Sequence, residues 1–134
     1  MTANTPKKGE LEIRRSKLTA VENKYRHRDY EISITLPEFT CLCPMTGYPD
    51  FAVIRVRYIP DKTIIELKSL KLYINRFRND SLFHEEAVNR ILEDLVACCR
   101  PRWMELVGDF NARGNVKTVI RAEHNPDFMK EKTV

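Results

Sequence analysis

The spacing of apolar residues changes twice along this chain, and this change constrains the fold more than any other feature. Apolar and polar residues alternate in YEISITL (30–36) and FAVIRVRYI (51–59), as expected of strands with one buried face. From KSLKLYINRFRND (68–80) onward the apolar residues recur every three or four positions, which is typical of an amphipathic helix. RWMELVGDFNARG (102–114) and NVKTVIRAE (115–123) read as two further strands around an ARGN turn.

Two helices are predicted between the second and third strands. The first carries its apolar face on Leu70, Tyr73, Ile74 and Phe77, and the second runs through residues 81–99 with Ser81 as a possible N-cap. The order strand, strand, helix, helix, strand, strand predicts an α+β fold with an antiparallel four-stranded sheet covered on one face. Open strand edges pair readily with other chains, so the sequence also predicts a homo-oligomer.

The chain length of 134 residues fits a single domain, which we predict over residues 28–125. Residues 1–27 are rich in charge and lack periodicity, so we expect an extended or flexible N-terminal arm, and we expect a polar tail at 126–134.

The sequence shows no membrane-spanning apolar run and no signal-peptide core, which predicts a cytoplasmic protein that does not associate with membranes. The net charge of +4 suits a phosphorylated small molecule as well as a nucleic acid.

The first two of the four cysteines lie in the stretch TCLCPMTGYPDF (40–51). Cys43 ends a strand before a turn and should be accessible, whereas Cys41 should lie further inside. Asp50 follows the turn and can return toward Cys43. A reactive thiol beside a carboxyl group can serve as nucleophile and proton donor, but both residue types are also common in turns and packing. The other two cysteines end an apolar helix, so at least one should be buried, and no cysteine spacing predicts a metal site.

Two other polar stretches can bind ligands. ELKSLK places Glu66, Lys68, Ser69 and Lys71 where a strand meets a helix, and helix N-termini with nearby lysines bind anions. The alternative for this stretch is a solvated helix start with a capping serine. FHEE places His84 and Glu85 at the next helix start. A carboxylate there can accept from a ligand with two adjacent N–H groups, although acidic residues are favoured in first turns anyway.

Taken together, EFTCLCPMTGYPDF, ELKSLKLYINRFRND and FHEE resemble the NADPH-dependent 7-cyano-7-deazaguanine reductases of queuosine biosynthesis, a tRNA modification. The resemblance covers about residues 35–120. It implies the tunnelling fold, in which short members form an oligomeric barrel, a decamer of two pentamers with active sites between subunits. It also implies NADPH as cofactor, 7-cyano-7-deazaguanine as substrate, and no direct contact with nucleic acid.

The resemblance further assigns roles to residues of this chain. Cys43 matches the nucleophile that forms a thioimide with the nitrile carbon, and Asp50 matches the acid that protonates the nitrile nitrogen. Glu85 and Glu66 match substrate contacts, and His84 matches a group that contacts substrate or aids the second proton transfer.

The lysines and the serine of ELKSLK match the cofactor motif of the family, at Lys68, Ser69 and Lys71. This chain departs from some members at Ala87, where they carry a cysteine able to form a disulfide with the nucleophile, and at Cys41, where relatives can have serine.

Two rival functions stay open at this point. A zinc-dependent pterin or purine enzyme related to GTP cyclohydrolase would need His and Cys ligands, yet His27, His84 and His124 lie in no ligand pattern. A basic RNA-binding module using the N-terminal arm would show affinity that falls steeply with salt and depends little on Cys43.

Overall fold

A computed structural model describes residues 5–132. Its strands are β1 (Ala20–Glu22), β2 (Ile32–Leu42), β3 (Pro49–Ile59), β4 (Thr63–Ile65), β5 (Trp103–Phe110) and β6 (Val119–His124). Its helices are α1 (Lys8–Arg15), α2 (Leu67–Asn75), α3 (His84–Cys99) and α4 (Pro126–Lys132), and a 3-10 turn at Arg76–Asn79 extends α2.

The main sheet is antiparallel with strand order β2-β3-β5-β6. The two helices α2 and α3 lie between its second and third strands, β3 and β5, as predicted. The alternation in β3 places Ile54, Val56 and Tyr58 in the core and leaves Arg55 and Arg57 on the opposite face. Apart from a single bridge between Leu42 and Ser81, the outer edges of β2 and β6 have no strand partner within the described chain. The α+β class is therefore confirmed.

The helices cover one face of this sheet through the apolar stripes read from the sequence. In α3 the buried residues include Val88, Ile91 and Leu95. The helix lies so close to β5 that a Cβ atom on Gly108 would come within 2.5 Å of Val88 Cγ2. Only glycine fits this position without a shift of the neighbouring Val88 and Phe110 side chains. This packing fixes α3 against the sheet and hence the direction in which its first turn points.

The N-terminal segment differs from expectation. Residues expected to form an extended or flexible arm contain α1, and β1 pairs antiparallel with β4, placing Ala20 opposite Ile65. Leu18 and Ala20 also pack against the core. The segment is therefore ordered over its described part, and residues 1–4 of the expected arm lie outside the described residues. At the other end, α4 occupies most of the polar tail, of which residues 133–134 are likewise outside.

Two local predictions were also wrong. Ser81 does not cap α3, which begins at His84 with Phe83 at the N-cap position. The β5–β6 connection is also longer than the expected ARGN turn, because the strands end at Phe110 and resume at Val119. None of the helices in residues 5–132 is both long enough and apolar enough to cross a membrane.

Candidate active site

The hairpin between β2 and β3 presents Cys43 at its base. The Cys43 N–H donates to the Tyr48 carbonyl at 2.8 Å, and the Gly47 N–H donates to the Cys43 carbonyl at 2.8 Å. Gly47 has φ +76, a conformation that favours glycine and closes the loop. In the ladder Cys41 lies opposite Asp50. Cys43 therefore follows at the end of the strand, on the same side as the aspartate.

The start of α3 is held against the same hairpin by a short parallel bridge between Leu42 and Ser81. The Leu42 N–H donates to the Asp80 carbonyl at 2.9 Å, and the Leu82 N–H donates to the Leu42 carbonyl at 3.0 Å. Ser81 is not a cap because its backbone pairs with the edge of β2 at Leu42. The bridge places the first turn of α3 directly beside Cys43.

These elements enclose a cavity of about 340 Å³. The ionisable side chains that line it are Cys43, Asp50, His84, Glu85 and Arg113. Four of the five are site residues predicted from the sequence, although they are up to 42 positions apart. The structure therefore brings the predicted nucleophile, the predicted acid and two of the three predicted substrate-site residues, His84 and Glu85, into a single cavity.

Asp50 is only 5% exposed and is held by two partners. One carboxylate oxygen accepts from the Arg113 guanidinium at 2.5 Å, and the other lies 3.2 Å from His84 Nε2. On its far side, His84 Nδ1 lies 2.6 Å from the Thr118 hydroxyl. The imidazole stacks on Phe110, with ring centroids 3.8 Å apart and planes inclined by 6°. The pair of Asp50 and His84 is thus fixed in place and can exchange a proton.

The two cysteines of the hairpin have opposite environments. Hydrogen bonds from the Thr46 side chain and from the backbone of Thr46 and Met45 lower the pKa of the Cys43 thiol. Burial raises the pKa of Cys41 to about 11, and this side chain is 0% exposed. Burial likewise raises the pKa of Cys99 to about 12. Since the thiolate is the nucleophile, Cys43 is the cysteine suited to covalent chemistry.

The predicted ligand groups at the start of α2 have a different arrangement. Glu66 is the N-cap, and its carboxylate accepts from the Lys68 N–H at 2.9 Å and from the Ser69 N–H at 2.6 Å. These N–H groups, led by that of Ser69, lower the pKa of Glu66. The Ser69 hydroxyl is buried, donates to the Glu66 carbonyl at 2.7 Å and accepts from the Thr19 N–H at 3.0 Å. The first helical turn is capped by glutamate rather than by serine.

The lysines of this stretch line other cavities than that of Cys43. Lys71 lines a cavity of about 400 Å³ between β2 and α2, together with Arg78, and Lys68 lines one of about 410 Å³ beside α1. Both side chains are exposed. Within one chain, Glu66, Lys68, Ser69 and Lys71 therefore do not join Cys43 and its neighbours.

Comparison with known proteins places this arrangement in a family. A family model described as QueF-like protein matches residues 49–128, more than half of the chain. The chain belongs to this family. A relative from Aquifex aeolicus named NADPH-dependent 7-cyano-7-deazaguanine reductase is 54% identical over 128 residues, covering 96% of this chain and 99% of the relative. A protein of the same name from Prochlorococcus marinus (strain MIT 9303) is 56% identical over 122 residues, covering 91% and 90%.

A solved structure shows the same fold at much lower sequence identity. The crystal structure of the archaeosine synthase QueF-Like in the apo form aligns with a TM-score of 0.67 and covers 71% of this chain and 93% of that one. The two sequences are 20% identical, so the comparison bears on the fold alone. The family resemblance read from the sequence motifs is confirmed by the closer relatives.

Sequence reasoning missed three side chains that shape the site. The sequence predicts Arg113 only as part of a turn, and no motif assigns a role to Thr46 or Thr118. Arg113 is 63 positions from the aspartate it contacts, and no local pattern links them. Within residues 5–132, no cluster of three or more His, Cys, Asp or Glu side chains is arranged to hold a metal ion.

Proposed function

We propose that this protein reduces the nitrile of 7-cyano-7-deazaguanine to the aminomethyl group with NADPH, a step of queuosine biosynthesis. The observation that carries the proposal is the convergence of Cys43, Asp50, His84 and Glu85 on one cavity. It occurs in a chain more than half identical to proteins named for this reaction. Their names state both the substrate and the cofactor.

Cys43 starts the reaction as a nucleophile. Its thiolate adds to the nitrile carbon, a C–S bond forms, and one π electron pair of the triple bond moves to nitrogen. That nitrogen takes a proton from the pair of Asp50 and His84, which gives a neutral thioimide. A nitrile is a poor hydride acceptor, so covalent addition divides one difficult step into easier ones. The lowered pKa of Cys43 favours the first of them.

Reduction of a nitrile to a primary amine takes four electrons, and bound NADPH supplies them as hydride in two successive rounds. The exposed lysines of α2 suit the phosphates of this cofactor. Neither the Lys68 nor the Lys71 ammonium group makes a hydrogen bond or ion pair with another described residue, so both are available to an anion. The N–H groups of the first α2 turn are less available, because Glu66 already accepts from two of them.

Glu85 is the group we assign to recognition of the substrate ring. Its carboxylate lines the Cys43 cavity and has no hydrogen-bond partner among the described side chains. A deazaguanine edge presents adjacent N–H donors, which pair well with such an acceptor. His84 lies next to Glu85 and contacts Asp50, with which it forms the pair that supplies the proton to the nitrile nitrogen.

We further propose that the chains assemble into the tunnelling-fold barrel, a decamer of two pentamers in the cytoplasm. The unpaired edges of β2 and β6 support ring closure by strand pairing. Exposed Met45, Tyr48 and Phe83 near the Cys43 cavity support a covering subunit there. An active site between subunits would also bring the α2 lysines of one chain to Cys43 of another. Sedimentation at ten times the monomer mass is the expected result.

The decisive experiment mixes the purified protein with 7-cyano-7-deazaguanine and NADPH. We expect NADPH absorbance to fall, with two NADPH oxidised per amine released, and no loss with Cys43→Ser. A protein that is folded and oligomeric but consumes no NADPH with this substrate would contradict the proposed function.

A further inference from the structure

Two side chains of the β5–β6 loop, which spans residues 111–118, reach the pair of Asp50 and His84 from opposite ends. Arg113 lies 2.5 Å from one Asp50 oxygen, and the Thr118 hydroxyl lies 2.6 Å from His84 Nδ1. The second Asp50 oxygen and His84 Nε2, 3.2 Å apart, complete the row. The four groups thus form one continuous chain, Arg113 to Asp50 to His84 to Thr118.

The loop that supplies both ends is held firmly. Arg113 and Val116 exchange two backbone hydrogen bonds of 2.9 Å around Gly114 and Asn115, which both have positive φ, at +54 and +70. This is the geometry of a tight hairpin turn. Near its other end, the Phe110 N–H donates to the Thr118 carbonyl at 3.1 Å. Both side chains therefore start from a fixed backbone.

Arg113 also ties the loop to the catalytic hairpin. Its guanidinium donates to the Pro49 carbonyl at 3.2 Å and lies over the Tyr48 ring, 5.6 Å from its centroid. Asp50, almost fully buried, has this guanidinium as its cationic partner, and a buried carboxylate without such a partner would be costly. Arg113 thus orients the Asp50 carboxylate and supplies a cationic partner for it.

We propose that Arg113 and Thr118 are positioning residues that keep Asp50 as an ionised acceptor and make His84 the carrier of the proton for the nitrile nitrogen. This inference rests on the proposed function. With Asp50 held as a carboxylate by Arg113, the transferable proton of the pair resides on the imidazolium. Its Nδ1–H then donates to Thr118, and its Nε2–H is shared between Asp50 and the substrate nitrogen. That nitrogen takes the Nε2 proton as the C–S bond to Cys43 forms, which leaves a neutral imidazole.

Substitutions of Arg113 and of Thr118 should shift the pH dependence of Cys43 adduct formation in opposite directions. The charged groups that face His84 are Asp50, Arg113, Glu85 and the Cys43 thiolate. Removing the Arg113 cation makes the pair hold its proton more tightly. Removing the Thr118 hydroxyl deprives the imidazolium of an acceptor, so the pair loses its proton more easily.

The test measures formation of the Cys43 adduct with 7-cyano-7-deazaguanine in the absence of NADPH, as a function of pH, by quenched mass spectrometry. For Arg113→Met we expect the alkaline limb of the rate profile to move up by about one pH unit or more. For Thr118→Val we expect it to move down by about one unit, while the acid limb stays in place. Arg113→Lys and Thr118→Ser should restore most of the wild-type profile.

Arg90→Met is the matched control, since it removes an exposed arginine that pairs with Glu86 on the outside of α3. Its profile should match wild type. Changes in thermal stability with unmoved pH limbs would show that Arg113 and Thr118 only support the fold. An effect of Arg113→Met confined to the KM for NADPH would likewise overturn the inference.

A second readout separates this inference from the proposed function. The His84 ring can be titrated by NMR in the substrate-free protein after selective histidine labelling. We expect its titration to move up in Arg113→Met and down in Thr118→Val. If the wild type forms no adduct, the proposed function fails and the NMR shifts still decide the positioning roles. If the wild type forms the adduct and neither limb nor NMR titration moves, only this inference fails.

Discussion

The Cys43 cavity and the first turn of α2 both carry residues predicted to bind ligands, and they differ in where their polar groups are directed. In the cavity, Cys43 and Glu85 line open space, although the Cys43 thiol is also hydrogen-bonded within its own loop, and the Asp50 carboxylate is bound by side chains alone. In α2, Glu66 and Ser69 are occupied by the backbone of their own segment. The Cys43 cavity therefore leaves polar groups available to a ligand, whereas most polar groups in the first turn of α2 stabilise the start of the helix.

The residues proposed for covalent chemistry and those proposed for cofactor binding thus lie in two different regions of one chain. The residues proposed as nucleophile and proton source line one cavity within a single subunit. The predicted cofactor residues form no enclosed site with them, so they need either a neighbouring subunit or the cofactor itself to complete it. Covalent capture of substrate should therefore depend on the cavity alone, and hydride transfer on both regions.

The largest effect is expected at Cys43. Cys43→Ser should lower turnover by more than about 10³-fold, because covalent addition to the nitrile is lost, and no adduct should appear by mass spectrometry. The matched control is Cys41→Ala, two residues away and fully buried. It should keep most of the turnover and lose about 1–2 kcal/mol of stability through the small cavity it leaves. An adduct that persists in Cys43→Ser and disappears in Cys41→Ala would reverse the assignment.

Much of this region was predictable because local patterns determine it. The accessibility of Cys43 and the burial of Cys41 follow from strand position, and the return of Asp50 follows from the turn. The role of Ser81 was not predictable, because its backbone pairs with Leu42 across 39 positions. A serine before a helix usually signals a cap, and here tertiary pairing displaced the cap to Phe83.

The next effect is expected at Glu85. Glu85→Gln should weaken substrate binding tens-fold or more and leave NADPH affinity nearly unchanged, because charge-assisted bonds to the ring are worth roughly 1.5–3 kcal/mol each. Titration calorimetry of each ligand measures this. The neighbouring Glu86→Gln, which removes a carboxylate paired with Arg90 on the exposed side of α3, should change neither affinity. Equal losses for both ligands in Glu85→Gln would make that residue structural.

A smaller effect is expected at Lys71, in the other region. Lys71→Met should raise the KM for NADPH by a few-fold to about tenfold, as one charge-assisted contact to a phosphate is lost. The rate of adduct formation without NADPH should not change. Lys24→Met removes an exposed lysine from the loop after β1 and serves as the control. If Lys71→Met slows adduct formation as much as turnover, the proposed separation of the two regions is wrong.

The N-terminal segment and the β5–β6 loop show why the remainder could not be predicted. α1 is short and has no buried residue, and β1 is only three residues long, so neither has enough apolar residues to predict an ordered element. Their order comes from contacts with α2 and β4. Arg113 depends in the same way on a partner 63 positions away. Such long-range pairing between polar groups leaves no trace in local spacing.

The smallest effect is expected at Glu66, the N-cap of α2. Backbone N–H groups of Ser69 and Lys68 lower its pKa below the ordinary value of 4.5. A carboxyl group with a depressed folded-state pKa stabilises the fold at pH above its unfolded value, and this stabilisation is lost as pH falls through the folded value. Glu66→Gln should therefore lower the melting temperature at neutral pH, and its difference from wild type should shrink as the pH drops below about 4.5. Glu22→Gln, on exposed β1, should show no such dependence. If Glu66→Gln instead slows adduct formation as strongly as Glu85→Gln and leaves the melting temperature unchanged, then Glu66 binds substrate and the first turn of α2 belongs to the active site.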